Sequence, residues 1–218
     1  MSLGIAEDID VESLADLVER LGGIPLRRIR IQPPIGTATE ADLLAVSRRT
    51  GRLYELVEGT LVEKAMGYTE SFLAGTLLML LRQFVDPRNL GLVTGPDGMM
   101  RLFPGLIRIS DVAFASWDRI PNRKFPREPI PDVVPDLAIE VLSEGNTKTE
   151  MAKKCRDYFS AGVRLVWLID PSTQTVAVHR GLNDVSIIDD SQALDGGDVL
   201  PGLLIPLGPL FADLNRAG

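Results

Sequence analysis

Apolar and polar residues follow two different periods along the chain, which predict helices and strands in alternation. Apolar residues recur at helical spacing in four segments, namely IDVESLADLVERLGGIP, TATEADLLAVSRRTG, ESFLAGTLLMLLRQFVD and NTKTEMAKKCRDYFSAGV. We expect the second helix to begin at Thr37 or Thr39 and to end at Gly51, and the fourth to begin with a capping box of Thr147 and Glu150. The third segment is apolar nearly all round, which predicts the longest and most buried helix.

Short runs of β-branched and aromatic residues predict the strands. RLYELVEGTLVEK consists of two such runs around Glu58 and Gly59, which is typical of a hairpin. Further strands are expected, in chain order, at LGLVTG, GMMRLF, IRISDVAFAS, PDLAIEVLS, RLVWLID, TVAVHRG and VSIID, and with the tail VLPGLLIPLGPLF they complete a β-rich C-terminal third. Helices and strands in this order predict an α/β fold with a mixed sheet.

One acidic residue interrupts a strand that otherwise has the composition of a buried one. In PDLAIEVLSEG, residues 135–145, Glu140 stands among Ile139, Val141 and Leu142. Burial of a lone carboxylate costs several kcal/mol unless a cation or hydrogen bonds compensate it. We therefore expect Glu140 to have a partner.

Two further residues suggest what that partner is. Asp111 lies in the segment IRISDVAFAS, and Lys154 lies on the helix that follows Glu140. On adjacent strands, Asp111 and Glu140 would repel each other unless they shared a divalent cation such as Mg²⁺, so loss of either carboxylate should leave the melting temperature unchanged or higher. A lysine beside such a cation can orient or deprotonate an attacking water and stabilise charge on a phosphate.

Composition and charge narrow the classes of function. The 218 residues are 45% hydrophobic and 24% charged, an ordinary globular balance. The net charge of -7 argues against a general, salt-driven nucleic-acid binder, although a nuclease with a local basic patch is compatible with it.

The single cysteine, Cys155, excludes an intrachain disulfide and is expected to be a buried, inert thiol. The single histidine, His179, excludes a multi-histidine metal site and is expected to face solvent.

The chain shows no apolar run of the roughly 18 residues that a membrane span needs and no signal-like N-terminus. We therefore expect a soluble, cytoplasmic protein. No linker-like or repeated segment divides the sequence. We expect an N-terminal helix and arm at residues 1–36, followed by one domain at residues 37–218.

Several segments resemble a known family. YELVEGTLVE, RISDVAFAS, PDLAIEVLSEGN, KKCRDYFSAGVRLVWLIDP and LPGLLIPLGPLF occur in the same order as in the Uma-two restriction-endonuclease-like family, a bacterial family of the PD-(D/E)XK nuclease superfamily. The resemblance covers about residues 37–214. It implies a restriction-endonuclease-like α/β fold with a central mixed sheet flanked by helices, additional hairpins, a homodimer, and Mg²⁺-dependent hydrolysis of DNA.

The resemblance also implies roles for individual residues. Asp111 and Glu140 would bind Mg²⁺ or Mn²⁺, Lys154 would position the attacking water, and Glu55 would supply or orient a ligand. The lysine expected two residues after Glu140 is absent, because position 142 is Leu142, and Lys154 on the following helix matches the family lysine instead.

Two positions depart from the family pattern. Residues 68–71 lack the histidine often found near the start of the long helix, and Ser110 stands where a proline usually precedes the aspartate. Neither change removes an expected metal ligand.

A basic loop lies between the two acidic segments. DRIPNRKFPRE contains four cationic residues, which are Arg119, Arg123, Lys124 and Arg127. Two interpretations are open, namely contacts with the DNA backbone beside the metal and an ordinary solvated loop.

Alternatives also stand beside the proposed site. Asp111 can mark a strand end, Lys154 can be a solvated partner of Glu150 at i,i+4, and Glu55 can form a cross-strand ion pair. At the level of function, a non-catalytic interaction or dimerisation module that keeps the nuclease fold is the alternative to an endonuclease. A third hypothesis is an enzyme that acts on another phosphodiester, such as RNA.

Overall fold

The computed structural model describes residues 13–65 and 67–215. Within these residues the chain forms five α-helices, which are α1 (Leu14–Arg20), α2 (Glu40–Thr50), α3 (Tyr68–Arg88), α4 (Lys148–Ala161) and α5 (Leu207–Ala212). The strands are β1 (Tyr54–Val57), β2 (Thr60–Glu63), β3 (Gly91–Thr94), β4 (Met100–Phe103), β5 (Leu106–Arg108), β6 (Val112–Ser116), β7 (Leu137–Val141), β8 (Leu165–Asp170), β9 (Thr175–His179), β10 (Val185–Asp189), β11 (Ala193–Asp195) and β12 (Leu204–Pro206).

A six-stranded sheet forms the centre of the fold, with the strand order β10-β9-β8-β7-β6-β3. β7 and β8 are parallel and the other pairs are antiparallel, so the sheet is mixed. α4 connects the parallel pair and packs on one face through Met151, Cys155 and Tyr158. α3, α5 and the C-terminal strands cover the other face. The predicted α/β fold with a central mixed sheet flanked by helices is confirmed.

A second sheet, in the order β2-β1-β5-β4, lies beside the first. β1 and β2 form the predicted hairpin, in which Glu58 and Gly59 make the turn with φ angles of 50° and 66°. Both angles lie in the left-handed region, which glycine adopts most readily. β11 and β12 form a separate two-stranded sheet. The C-terminal third is β-rich as predicted, but it also contains a helix, α5.

The segment IRISDVAFAS differs from its prediction as a single strand. β5 ends at Arg108 in the smaller sheet, and β6 begins at Val112 in the central sheet. Asp111 therefore lies in the bend between the two sheets. The apolar alternation of the segment indicated extended backbone but did not show that the chain changes sheets within it.

The helix ends follow the predicted chemistry with one exception. Thr39 caps α2 in a reciprocal capping box with Asp42, and Gly51 ends the helix with φ 66°. The Thr147 hydroxyl accepts a hydrogen bond from the Glu150 N–H, as expected at the start of α4. The carboxylate of Glu150 does not complete the box, because it binds the guanidinium of Arg28 at 2.8 Å.

The prediction that α3 is the most buried helix is wrong. Leu73, Leu77 and Leu81 are fully buried against the central sheet, but Phe72 and Met79 are 41% and 51% exposed. α3 covers the sheet with one face only, so its other apolar residues remain accessible in the single chain.

The N-terminal segment packs against the hairpin. Leu17, Leu21 and Ile24 form a cluster with Val57 and Val62, and Ile29 makes an isolated bridge to Val62. Residues 9–12 of the predicted first helix lie outside the described residues. In the part of the chain that the structure describes, no helix has both the length and the apolar character to cross a membrane.

Candidate active site

Four predicted site residues converge where the two sheets meet α4. Glu55 lies on β1, Asp111 in the bend before β6, Glu140 on β7 and Lys154 on α4. All four side chains are buried, with Glu55 fully enclosed. A fifth residue, Lys64, directly follows β2 and is buried among them.

The carboxylate of Glu140 has partners that compensate its burial in an apolar strand. The Lys154 ammonium lies 3.1 and 3.2 Å from its two carboxylate oxygens, and the Tyr158 hydroxyl donates to Oε1 at 2.5 Å. Lys154 and Tyr158 are one turn apart on α4, so one face of this helix presents both groups to the carboxylate. Lys154 is therefore not a solvated partner of Glu150.

Asp111 is fixed beside Glu140 by the backbone. Its N–H donates to the carbonyl of Ile139 at 2.9 Å, and its Oδ2 accepts the N–H of Val141 at 2.7 Å. Its other oxygen, Oδ1, lies 2.9 Å from the Lys64 ammonium. Asp111 thus does more than end a strand, because its backbone N–H is tied to Ile139 and its carboxylate to Val141, the residues on either side of Glu140.

Lys64 is a site residue that the sequence analysis missed. Its ammonium donates to the carbonyl of Ile109 at 2.8 Å and lies 3.9 Å from Oε2 of Glu140, in addition to its contact with Asp111. The sequence signal was a lysine at the last position of the predicted hairpin segment. Spacing alone does not distinguish such a residue from an exposed lysine at a strand end.

Glu55 is held by cations on two sides. Its Oε2 accepts from Arg108 on the neighbouring strand β5 at 2.7 Å, and its Oε1 lies 3.1 Å from Lys154. The Ile109 N–H donates to the same Oε1 at 3.0 Å. Arg108, which the sequence analysis also missed, bonds Asp157 of α4 as well. The cross-strand ion pair considered for Glu55 is present, together with a direct link to Lys154.

Opposite charges are paired within this cluster. Three carboxylates, Glu55, Asp111 and Glu140, face three cations, which are Lys64, Lys154 and Arg108. Asp157, which also pairs with Arg108, adds a fourth carboxylate at the edge of the cluster. The expected repulsion between Asp111 and Glu140 is thus offset by a lysine that contacts both. This pairing removes the basis for expecting an unchanged or higher melting temperature when either carboxylate is lost.

The environment also sets the protonation of the lysine. Burial alone would lower the pKa of Lys154, but the charges of Glu140 and Glu55 outweigh burial and raise this pKa above its ordinary value. Burial would likewise raise the pKa of Glu55, but Lys154, Arg108 and Lys64 together lower it. Lys154 is therefore a stable ammonium group that can orient a water or stabilise negative charge, and it is poorly suited to remove a proton.

The cysteine and the histidine lie outside this cluster. Cys155 is buried on α4, and burial raises the pKa of its thiol to about 12, which agrees with the expected inert thiol. His179 is half-buried rather than fully exposed, and burial lowers its pKa.

The structure does not bring the basic loop to the carboxylates. β6 runs away from Asp111 and β7 returns to Glu140, so the loop that joins them lies at the other end of the sheet. With five residues in β6 and a rise of about 3.3 Å per residue, the loop begins roughly 15 Å from Asp111. Arg119 binds Asp136 and the carbonyl of Gly162, and Arg123 pairs with Asp118.

Lys124 and Arg127 are exposed on the same loop. Contact between the four basic residues and DNA would therefore take place away from Glu140. The order of residues along the chain did not reveal this separation. The loop joins the end of β6 to the start of β7, whereas Asp111 lies before β6 and Glu140 lies near the end of β7.

Comparison with known proteins identifies the family of this chain. The model of the Uma2 family, described as "Putative restriction endonuclease", matches residues 40–208. The chain belongs to the Uma2 family. The predicted relationship is thereby confirmed, and a nuclease-like function of the hydrolase class is what the family description supports. No curated protein matches the chain.

A solved structure shares the fold of this Uma2 protein. It is a crystal structure of a protein from Anabaena variabilis described as "a putative nuclease belonging to DUF820". The two chains are 24% identical, the TM-score is 0.67, and the match covers 75% of this chain and 92% of the other. At this identity the likeness establishes the fold.

Restriction-endonuclease-like families generally use divalent metal ions, which bind to oxygen donors. Among residues 13–65 and 67–215, no group of three or more His, Cys, Asp and Glu side chains is arranged to hold a metal. The site instead offers two carboxylates, from Asp111 and Glu140, and the carbonyl oxygen of Ile109, all directed at the Lys64 ammonium. Hard oxygen donors of this kind suit Mg²⁺ and Mn²⁺, with waters completing the coordination.

Proposed function

We propose that this Uma2 protein is a metal-dependent endonuclease that hydrolyses DNA phosphodiester bonds. Asp111 and Glu140 would hold Mg²⁺ or Mn²⁺, and Lys154 would position the attacking water. The observation that carries the proposal is the convergence of Asp111, Glu140 and Lys154 from three separate elements, within a fold that the family description links to nucleases.

Each residue has a defined task in this proposal. A bound divalent ion would supply a water of lowered pKa and neutralise charge on the phosphate. The Val141 N–H holds the Asp111 carboxylate in place, while Tyr158 and Lys154 orient that of Glu140. The ammonium of Lys154 is suited to donate hydrogen bonds to a water or to a phosphate oxygen, because its raised pKa keeps it charged.

Glu55 would assist through Lys154. Its two oxygens are occupied by Arg108, by the Ile109 N–H and by the Lys154 ammonium. These contacts favour a carboxylate that orients the lysine over one that binds the metal directly.

Plasmid nicking in Mg²⁺ or Mn²⁺ tests the proposal directly. We expect wild-type protein to nick or linearise the plasmid, and Glu140→Gln and Asp111→Asn to lose at least a hundredfold in rate, because each removes a charged ligand. Glu40→Gln is the matched control. Glu40, at the start of α2, pairs with Arg101 of β4 outside the buried cluster, so this variant should retain wild-type activity. Full activity in folded Glu140→Gln would contradict the assignment, and RNA and nucleotide diesters in the same assay identify the preferred phosphodiester.

A second function is favoured by the charge pairing of the site. Each buried carboxylate of the cluster already has a cationic partner within the protein, as expected of a nuclease fold kept as a non-catalytic interaction or dimerisation module. That module would bind no Mn²⁺ in calorimetry and would sediment as a homodimer. Saturable Mn²⁺ binding that Glu140→Gln abolishes would favour the endonuclease.

A further inference from the structure

We propose that the ammonium group of Lys64 occupies the cation position between Asp111 and Glu140, and that a divalent metal ion binds only when it displaces this group. The inference rests on the proposed metal-dependent function and concerns what occupies the metal position when no metal is bound. Lys64 would then act as an internal competitor of the metal.

The contacts of Lys64 are those of a cation in a site of oxygen ligands. Its Nζ lies 2.8 Å from the Ile109 carbonyl, 2.9 Å from Asp111 Oδ1 and 3.9 Å from Glu140 Oε2. These three oxygens come from the bend between the sheets and from β7, and Lys64 reaches them from a third segment, β2. Its side chain is 3% exposed, so the ammonium is shielded from water as a bound ion would be.

Lys154 does not share this position. Its ammonium bridges Glu140 and Glu55, whereas that of Lys64 bridges Glu140 and Asp111. Glu140 is thus linked to Asp111 through Lys64 and to Glu55 through Lys154. Displacement of Lys64 would leave the link between Lys154 and Glu55 intact.

Electrostatics requires an exchange rather than an addition. With Lys64 in place, the carboxylates of Glu55, Asp111, Glu140 and Asp157 face three cations, so a divalent ion added to them would leave the cluster with excess positive charge. When the ammonium leaves as the metal enters, the site gains only one charge. The backbone N–H of Lys64 donates to the Leu53 carbonyl at 2.9 Å, so rotation of the long side chain can free the position without a shift of the hairpin.

Metal affinity measured without DNA tests the inference. We expect Lys64→Met to bind Mn²⁺ at least tenfold more tightly than wild type in calorimetry and in electron paramagnetic resonance of free Mn²⁺. Lys64→Gln, which keeps a hydrogen-bond donor but lacks the charge, should also bind Mn²⁺ more tightly than wild type. Lys153→Met is the control, because Lys153 is a neighbouring cation on α4 that pairs with Glu58. The Mn²⁺ affinity of this variant should equal that of wild type.

A measurement on wild-type protein avoids dependence on the folding of these variants. An amine-reactive ester, followed by mass spectrometry, should label Lys64 slowly without metal and at least fivefold faster in saturating Mn²⁺, because the displaced ammonium becomes accessible. Labelling that Mn²⁺ leaves unchanged would overturn the inference.

The outcomes separate the two proposals. Equal or weaker Mn²⁺ affinity in the Lys64 variants, with binding retained in wild type, would overturn the competition while the metal site stands. Absence of Mn²⁺ binding in folded wild type and in both Lys64 variants would overturn the metal site itself and the competition with it.

Discussion

At the scale of single residues, the site depends on matched buried charges. Glu140 contacts two lysines and a tyrosine, and neither lysine is exposed enough for water to replace a lost carboxylate. Removal of one member of a buried ion pair leaves the other charged and unpaired, which costs more than the pair itself contributes.

Glu140→Gln should therefore lower the free energy of unfolding by about 3 kcal/mol, as estimated for broken buried ion pairs. Urea denaturation followed by circular dichroism measures this change. The control is Glu63→Gln, which removes the partially exposed pair with Arg52 and should cost less than about 1 kcal/mol. Equal costs for the two variants would show that burial does not determine the value of the Glu140 contacts.

The sequence predicted some of these residues and missed others for a physical reason. Glu140 could be recognised because an acidic residue in an apolar strand requires compensation, and this requirement pointed to Lys154 one segment later. Lys64 and Arg108 compensate buried charges from distant segments, and each follows or ends a short strand where a basic residue is ordinary. Local spacing assigns a side chain to a face of its element but not to a partner on another element.

At the scale of elements, the β1–β2 hairpin determines where Glu55 and Lys64 lie. Its turn residue Gly59 has φ 66°, and a Cβ at this position would lie 2.3 Å from the carbonyl oxygen of Gly36. Gly51, at the end of α2, has the same φ of 66° but no atom within 4 Å of the corresponding Cβ position. Alanine substitution at Gly51 therefore adds backbone strain alone, whereas alanine at Gly59 adds the same strain and a steric clash.

Gly59→Ala should destabilise the protein by at least about 2 kcal/mol, whereas Gly51→Ala should cost about 1 kcal/mol, the typical penalty of the left-handed conformation alone. Thermal and urea unfolding of both variants measure the difference. A similar cost at the two positions would mean that the segment around Gly36 moves aside without loss.

The same scale shows where the sequence pattern was insufficient. The hairpin, α2 and α4 were predicted from turn residues and caps, which act within a few residues. The division of IRISDVAFAS into β5 and β6 depends on which strands pair with each half, and no local signal encodes that choice. The exposed face of α3 was missed because apolar composition does not reveal whether a second layer covers a helix.

At the scale of the whole molecule, Glu58 links three elements. Its carboxylate pairs with Arg20 of α1 at 2.7 Å and with Lys153 of α4 at 2.8 Å, while its backbone forms the hairpin turn. The buried pair of Arg28 and Glu150 fastens the N-terminal segment to α4 in the same region. We propose that the described residues before 37 unfold together with the rest of the domain.

Glu58 should make this unfolding depend on pH. Burial alone would raise the pKa of Glu58, but Lys153 and Arg20 lower it below the ordinary value of 4.5. A depressed carboxyl pKa adds stability above the unfolded pKa, and this stability is lost as the pH falls through the folded pKa. The difference in unfolding free energy between wild type and Glu58→Gln should therefore shrink as the pH is lowered from about 5 to about 3.

Urea denaturation at a series of pH values measures this difference. Asp118→Asn, which removes an exposed pair with Arg123, is the control and should show little change over the same range. A constant difference between wild type and Glu58→Gln would show that neither cation contributes through the carboxylate.

The wide separation of the site residues along the chain has a consequence for synthesis on the ribosome. Glu55 and Lys64 are made early, Asp111 and Glu140 follow, and Lys154 is added only with α4. Until α4 has left the exit tunnel, Glu55 and Glu140 lack the helix whose lysine contacts both, and β7 lacks its parallel neighbour β8. A nascent chain therefore carries the acidic residues without an assembled cluster, which forms only after the domain has folded.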